Sequence, residues 1–204
     1  AAAQIAAAAA RSGAFALGAN SRDASVLTPL SSGPYTAQIT GKAAATGIAL
    51  MEAYDTSAAS DTARLVNISA RSQVGTGGDI LIAGFAVGGT GSKQLLIRAV
   101  GPALATFGVP RPLTDPTLRV IDSKGATVGS NDNWGGAAAI SARAAQVGAF
   151  PLASAGSLDA ALALAPEAGS YTVQITGRNG GTGIALAEIY DAAPAATFTA
   201  ATRA

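Results

Sequence analysis

Apolar and polar residues alternate strictly along residues 171–176, so that every second side chain, beginning with Tyr171, falls on the same side of an extended chain. This period of two is typical of a strand with one buried face. The stretch belongs to a longer sequence that occurs twice. Residues 33–55 match residues 169–191 at an offset of 136, and fifteen of the 23 pairs are identical. Each copy predicts two strands joined by a glycine-rich turn, which we interpret as a β-hairpin.

The repeat extends into the sequence before these strands. Residues 140–150 match residues 5–15, and both regions are rich in alanine, which favours a helix. In the later copy, Ile140, Ala144 and Val147 are spaced to form one apolar side of that helix. A glycine follows each helical region and predicts its end. We therefore expect one short helix in each copy.

These matches divide the chain into unequal parts. Residues 1–55 correspond to the second half of a repeat unit, with a helix and a β-hairpin but without a first half. Residues 56–63 are small and polar, and we interpret them as a linker. Residues 64–191 form a complete β-sandwich unit of a size usual for one domain. Residues 192–204 form a tail that is a candidate inter-subunit strand.

Further short apolar runs predict more strands in the complete unit. Residues 79–87 are almost continuously apolar, which suits a strand covered on both faces. Residues 117–121 and 126–128 flank the turn sequence Asp-Ser-Lys-Gly and predict a hairpin. Seven or eight short strands with glycine turns indicate a mainly β protein. The expected fold is a jelly-roll-like β-sandwich repeat with one short helix per unit.

Two motifs of the complete unit resemble a known family. The sequences Pro-Thr-Leu-Arg-Val-Ile-Asp-Ser-Lys-Gly-Ala-Thr-Val-Gly-Ser-Asn-Asp at residues 116–132 and Ala-Gly-Ser-Tyr-Thr-Val-Gln-Ile-Thr-Gly at residues 168–177 resemble the bacterial pre-peptidase C-terminal domains. The resemblance implies a secreted jelly-roll module appended to proteases and other exported proteins, some of which bind calcium or polysaccharide. Motifs at residues 67–71, 83–85 and 96–102 are similar to uncharacterised repeats of large bacterial surface proteins. Neither resemblance assigns an activity.

The composition argues against several classes of function. The chain has no cysteine and no histidine, which removes thiol chemistry, the usual zinc ligands and the commonest general base. Charged residues make up 12% of the sequence and the formal net charge is +1, so no basic stripe is available for nucleic acid. No apolar run approaches the roughly 20 residues of a membrane span. We expect a non-enzymatic protein that is extracellular or at the cell surface.

The best candidate for a binding site is the polar loop before the single tryptophan, Trp134. Asn131, Asp132 and Asn133 supply side-chain oxygens there, and Asp159 is a further candidate from the start of the next strand. Calcium takes six to eight oxygen ligands, so these four residues are the candidate calcium ligands. The ring of Trp134 is a candidate stacking surface for polysaccharide. The same sequence also suits a polar turn whose Asn and Asp side chains bond their own backbone, with the tryptophan covering the core.

Glu188 lies in an apolar strand, in phase with apolar side chains. A buried carboxylate must be paired or protonated. Arg98 and Arg71 are both flanked by apolar residues and are the candidate partners. We favour a structural ion pair, or a bulge that turns the carboxylate outward, over a catalytic acid.

The incomplete half unit leads to the functional hypothesis. Its hairpin, with Tyr35 and Ile39 in the first strand, has no first half to cover it and would expose strand edges, which proteins pair or protect. The tail supplies a candidate β anchor at Thr197, Phe198 and Thr199. We expect a structural module that associates with itself, head to tail, into a filament by β-strand addition. The alternative is a calcium- or carbohydrate-binding accessory domain of a secreted protein.

Overall fold

The alternating apolar runs form strands in only one of the two units of the chain, which divide between Arg64 and Leu65. The computed structural model describes residues 2–18, 20–57 and 63–193. Within these residues, the first unit, which ends at Arg64, contains one α-helix and one turn of 3-10 helix. The described part of the second unit, residues 65–193, contains eight strands, one α-helix and two 3-10 segments.

The strands of the second unit form two four-stranded antiparallel sheets. In chain order they are β1 Asn67–Val74, β2 Leu81–Ser92, β3 Leu95–Val100, β4 Pro116–Asp122, β5 Thr127–Asn131, β6 Ala160–Leu164, β7 Glu167–Gly177 and β8 Gly183–Asp191. The order in one sheet is β1-β8-β3-β6, and in the other it is β2-β7-β4-β5. Strands from opposite ends of the unit therefore pair: β1 with β8, β2 with β7, β3 with β6 and β4 with β5. This is a jelly-roll order, and the predicted β-sandwich is confirmed.

The core lies between the two sheets and is built from alternate residues of each strand. Val173 and Ile175 of β7 are fully buried there, as the period of two predicts. The prediction that residues 79–87 are covered on both faces is wrong, because Leu81 points into the core while Ile82 is 54% exposed. The strand that is buried on both faces is β3, all six residues of which are buried. Its second face packs against the helix that follows β5.

The two α-helices are α1, Ala2–Ser12, and α2, Ala138–Gln146. In α2, Ile140 and Ala144 are buried and Val147 packs against the same cluster, so the predicted apolar side is confirmed. Both helices end at a glycine with positive φ, 77° at Gly13 and 70° at Gly148, a conformation that glycine adopts without steric cost. In the described part of the chain, neither helix is long and apolar enough to cross a membrane.

The hairpin predicted for each copy of the repeated sequence is wrong. β7 hydrogen-bonds to β2 and β4, whereas β8 hydrogen-bonds to β1 and β3, so the turn at Arg178–Gly180 carries the chain from one sheet to the other. Residues 33–55 form no hairpin either. They contain no strand, because no partner strand is hydrogen-bonded to them within the described residues. A glycine-rich turn has the same sequence signature in both arrangements. The hairpin of β4 and β5, in contrast, is confirmed.

Arg98 in the centre of β3 forms a buried ion pair with Glu188, its neighbour on β8. The Arg98 Nε donates to Glu188 Oε2 at 2.8 Å, its Nη2 donates to the same oxygen, and its Nη1 donates to the Phe150 carbonyl oxygen at 2.6 Å. The Tyr190 hydroxyl donates to Glu188 Oε1 at 2.7 Å. Burial and then this hydrogen bond raise the pKa of Tyr190 above its ordinary value. The structural ion pair is thus confirmed, with Arg98 rather than the exposed Arg71 as partner.

A second buried ion pair lies at the end of the same sheet. Lys93 Nζ is 3.0 Å from Asp191 Oδ2. The Asp191 N–H donates to the Val66 carbonyl oxygen at 2.9 Å, and the Ala192 N–H donates to that of Gln94 at 2.8 Å. These contacts hold the end of β8 beside the start of β1.

We expect Glu188→Gln to lower the free energy of unfolding of the second unit by about 3–5 kcal/mol, because Arg98 would be left buried without a countercharge. Replacing both residues, Arg98→Met with Glu188→Leu, removes both charges and is expected to cost less than the single change. Urea unfolding followed by the fluorescence of Trp134, the single tryptophan, measures both. A double variant less stable than Glu188→Gln would contradict this account.

Candidate functional site

Asp159, a predicted calcium ligand, is fully buried immediately before β6. Its Oδ1 accepts hydrogen bonds from the N–H groups of Gly101, at 2.8 Å, and Ala103, at 3.3 Å, and its Oδ2 accepts one from the Ser157 hydroxyl. The two N–H groups lie at the start of the 3-10 helix Pro102–Phe107, where no intrahelical partner is available. In this structure, Asp159 therefore caps the 3-10 helix from the position just before β6.

Of the other three candidate ligands, Asn131 is the last residue of β5, and Asp132 and Asn133 lie in the loop that follows it. Asn131 Oδ1 accepts from the Ala161 N–H at 3.0 Å, and Asn131 Nδ2 donates to the Asn133 carbonyl oxygen at 3.0 Å. Asp132 forms a half-exposed ion pair with Arg178. Asn133 Oδ1 is buried and has no hydrogen-bond partner among the described residues. The loop thus contains a buried oxygen that is free to bind.

In the described ranges 2–18, 20–57 and 63–193, no three His, Cys, Asp or Glu side chains cluster as a metal site. Trp134 is half-buried and packs against the cluster that contains Leu96 and Ile140. Its Nε1 donates to the Ser154 carbonyl oxygen at 3.0 Å, and its backbone N–H donates to that of Asp159 at 2.9 Å. A polysaccharide at this loop would therefore contact only the outer part of the ring.

The candidate association residues Tyr35 and Ile39 lie in a segment without cover, residues 33–55, which we call the uncovered segment. Every residue of it up to Tyr54 is exposed. The comparison with the later copy shows the effect, because Ile39 is 55% exposed whereas its counterpart Ile175 is fully buried. The segment therefore presents strand-forming apolar side chains to solvent. Thr197, Phe198 and Thr199 lie outside the described residues, as do residues 58–62 of the predicted linker.

The turn of the uncovered segment repeats the conformation of the turn between β7 and β8. Each is one turn of 3-10 helix, Lys42–Ala44 in the first unit and Arg178–Gly180 in the second. The middle residue of each turn has a positive φ, 52° at Ala43 and 54° at Asn179. The local geometry of the turn between β7 and β8 is thus present in the first unit without the strands that pair with β7 and β8 in the second.

One side-chain contact is also repeated. The Tyr54 hydroxyl donates to Glu52 Oε1 at 2.9 Å, as that of Tyr190 does to Glu188. The hydrogen bond to Glu52 is the main cause that raises the pKa of Tyr54. The counterpart of Arg98 is missing, since no ion pair of Glu52 is present in the part of the chain that the structure describes. Glu52 therefore has the tyrosine contact of Glu188 but lacks, among the described residues, the arginine contact that Glu188 makes with Arg98.

Sequence reasoning missed the capping role of Asp159 and the pairing of Lys93 with Asp191. A signal for the first was present, because the Gly-Pro sequence at residues 101–102 opens a helical turn without a capping side chain of its own. For the second, the only signal was two charged residues at predicted strand ends, 98 positions apart.

Comparison with known proteins gives a similarity to solved structures. No model of a known protein family matches the sequence, and no curated protein matches it. Among solved structures, the chain is similar to the pre-peptidase C-terminal domain of collagenase from Bacillus anthracis, with a TM-score of 0.37 and 12% identity, over 61% of this chain and 89% of that chain. The jelly-roll assignment itself follows from the strand pairing.

We expect Asp159→Ala to lower the free energy of unfolding by about 2–4 kcal/mol in a buffer that contains a chelator, because two buried N–H groups lose their acceptor. The matched control is Asp132→Ala, which breaks a half-exposed ion pair and is expected to cost about 1 kcal/mol or less. Urea unfolding measures both. Equal stability of the Asp159→Ala variant and the unchanged protein would contradict the capping role.

Proposed function

We propose that this chain is a non-enzymatic structural module of an extracellular or cell-surface protein, which associates with itself head to tail through the uncovered segment. The observation that carries the proposal is strand sequence exposed to solvent. Ile48 is 94% exposed and Leu50 is 74% exposed, whereas their counterparts Ile184 and Leu186 are half-buried in β8.

Exposed strand sequence favours association because its backbone groups and apolar side chains both gain from a partner. An unpaired strand presents free N–H and C=O groups to other chains. Contiguous exposed apolar side chains are typical of interaction sites. In β-strand addition, backbone hydrogen bonds provide affinity and the alternate side chains provide specificity. The uncovered segment supplies both.

A structural role is also supported by the use of the buried charged groups. In the described residues these are Lys93, Arg98, Asp159 and Glu188. Each contacts an oppositely charged group or backbone N–H groups within the second unit. Catalytic acids and bases usually line a cleft with perturbed pKa values. The charged groups of this unit instead hold strands and a loop together.

The proposed donor is the tail, with Thr197, Phe198 and Thr199 as its anchor. A contact between the tail of one copy and the uncovered segment of the next joins two different surfaces. Such a heterologous contact extends into an open filament unless its rotation closes a ring.

We expect deletion of residues 194–204 to reduce the assembly of the purified protein, because the donor strand is lost. The deletion spares Ala192, whose N–H is bonded to Gln94 in the fold. Light scattering across a range of protein concentrations measures particle size. The intact protein is expected to grow with concentration, and the truncated protein is expected to remain small.

A pair of variants tests the acceptor. Ile48→Lys with Leu50→Lys places two charges on the uncovered segment and is expected to abolish assembly. Ile82→Lys is the matched control, since Ile82 is also exposed but lies on the second unit. An intact protein that stays monomeric at every concentration would rule out the proposal, and assembly of the truncated protein at full strength would rule out the tail as donor.

The unpartnered Oδ1 of Asn133 favours a second candidate function, calcium binding at residues 131–134 by an accessory domain of a secreted protein. For this candidate, calcium should raise the melting temperature by mass action, because it binds the folded state. Asp132→Asn should abolish the rise by removing the only carboxylate of the loop. Arg178→Gln is the control, because it frees Asp132 from its ion pair and should preserve the rise. A melting temperature of the unchanged protein that is independent of calcium would exclude this function.

A further inference from the structure

We infer that the partner of the uncovered segment is an open half-sandwich, a polypeptide with the strand pattern of β1 to β5 but without β7 and β8 of its own, and that it carries an arginine at the centre of its third strand. The inference rests on the proposed function in taking the uncovered segment as the association site. The tail of a second copy would pair with one edge of the segment, and the inference specifies the partner that pairs with both of its strands.

The two strand regions of the uncovered segment need more than one added strand to pair all of their backbone edges. In the second unit, β7 is paired on one side with β2 and on the other with β4, and β8 is paired with β1 and β3. The uncovered segment has the same alternating sequence in both of its strand regions. A single added strand would leave three of these four edges unpaired, whereas a half-sandwich pairs all of them.

The conformation of the segment is already suited to such a partner. Its 3-10 turn and the hydrogen bond of Tyr54 to Glu52 repeat those of Arg178–Gly180 and of Tyr190 to Glu188. Binding therefore orders little of the turn, and a preformed site loses less entropy on association.

The charge of Glu52 specifies the arginine. A half-sandwich that covers the segment as β1 to β5 cover residues 169–191 would bury Glu52, and a buried carboxylate requires a countercharge. In the second unit this charge is Arg98, which lies directly opposite Glu188 on β3. The same position of the partner is therefore assigned an arginine, whose two N–H groups bind one carboxylate.

Three core positions distinguish this partner from the chain's own first half. Ala37 and Ala53 replace Val173 and Ile189, which are buried in the core of the second unit, and Met51 replaces Ala187. Covered by β1 to β5 of this chain, the two alanines would leave cavities. Met51 would be crowded, since the neighbours of Ala187 on β1 and β3 are Ala70 and Ala99.

The source of the partner follows from this misfit. The first half of a second copy is already closed by residues 169–191, which fit it better. The matching half-sandwich is therefore an open one, with larger side chains facing Ala37 and Ala53 and more space facing Met51.

The test supplies an open half-sandwich to the full chain. Residues 64–135 of the same sequence are added before Ala1, so that the added half meets residues 1–55 as residues 64–135 meet residues 136–191. The covalent link gives a high effective concentration. We expect the amides of residues 35–41 and 47–54 to exchange with deuterium roughly 100-fold more slowly than in the unextended chain, measured by mass spectrometry. Because the added half fits imperfectly, the extended chain with Ala37→Val, Met51→Ala and Ala53→Ile is expected to show stronger protection.

The control for the arginine is the same extension with Arg98→Ala in the added half alone. We expect protection of the uncovered segment to be lost there, while residues 169–191 stay protected. Equal protection by both extensions would overturn the arginine assignment. Absence of protection in both the imperfect and the matched extended chains would overturn the partner, as would loss of protection at residues 169–191. Protection in the unextended chain that reaches the level of the matched extended chain as the concentration rises would identify a second copy as occupant and overturn the open half-sandwich. A tail that pairs with one edge is expected to give only partial protection.

Failure of this inference is distinguishable from failure of the proposed function. The light-scattering experiment uses the unextended chain and depends on no added half. Assembly there without protection in the extended chains would leave the proposed function standing and remove the inference. Protection in the extended chains without any assembly of the unextended chain would do the opposite.

Discussion

The structure depends on the pairing of strands from opposite ends of the unit. β7 and β8 occupy the inner positions of their sheets, and each is paired with two strands of the first half. Since buried backbone N–H and C=O groups must be paired, neither strand is satisfied by its own sequence neighbours. The uncovered segment demonstrates this constraint, because a similar sequence with the same turn is exposed and forms no strand where no first half is paired with it. Burial of this repeat is decided by distant strands and not by its own residues.

The ion pair between Arg98 and Glu188 adds a constraint on register. The two residues lie directly opposite each other on β3 and β8. A slip of one residue would place Arg98 beside Ala187 or Ile189 and leave two charges unpaired in a buried layer. Such unpaired charges are costly, whereas alternative apolar pairings in a strand rich in alanine and isoleucine differ little. The polar contact therefore distinguishes one register in a region where apolar contacts alone would permit several.

Much of this fold could be predicted from local sequence patterns. The period of two identified the faces of β7, the Asp-Ser-Lys-Gly turn identified the hairpin of β4 and β5, and the apolar spacing identified α2. Partner choice could not be predicted, because a period of two reveals which residues share a face and not which strand lies alongside. The turn between β7 and β8 was therefore interpreted as a hairpin when it crosses between sheets.

The candidate site shows the same limit. The oxygens of residues 131–133 were evident in the sequence, but their partners were not. Asn131 is bonded to Ala161, Asp132 to Arg178, and Asp159 to Gly101, all of which are distant in sequence.

The pairing of β1 with β8 has a mechanical consequence. Asn67 is the register partner of Tyr190, so the chain enters and leaves the sandwich at the same end of one strand pair. A pulling force along the chain would therefore load these hydrogen bonds one after another, as in unzipping, rather than all together in shear. Under tension, the bond from the Asp191 N–H to the Val66 carbonyl oxygen would be the first of these to open.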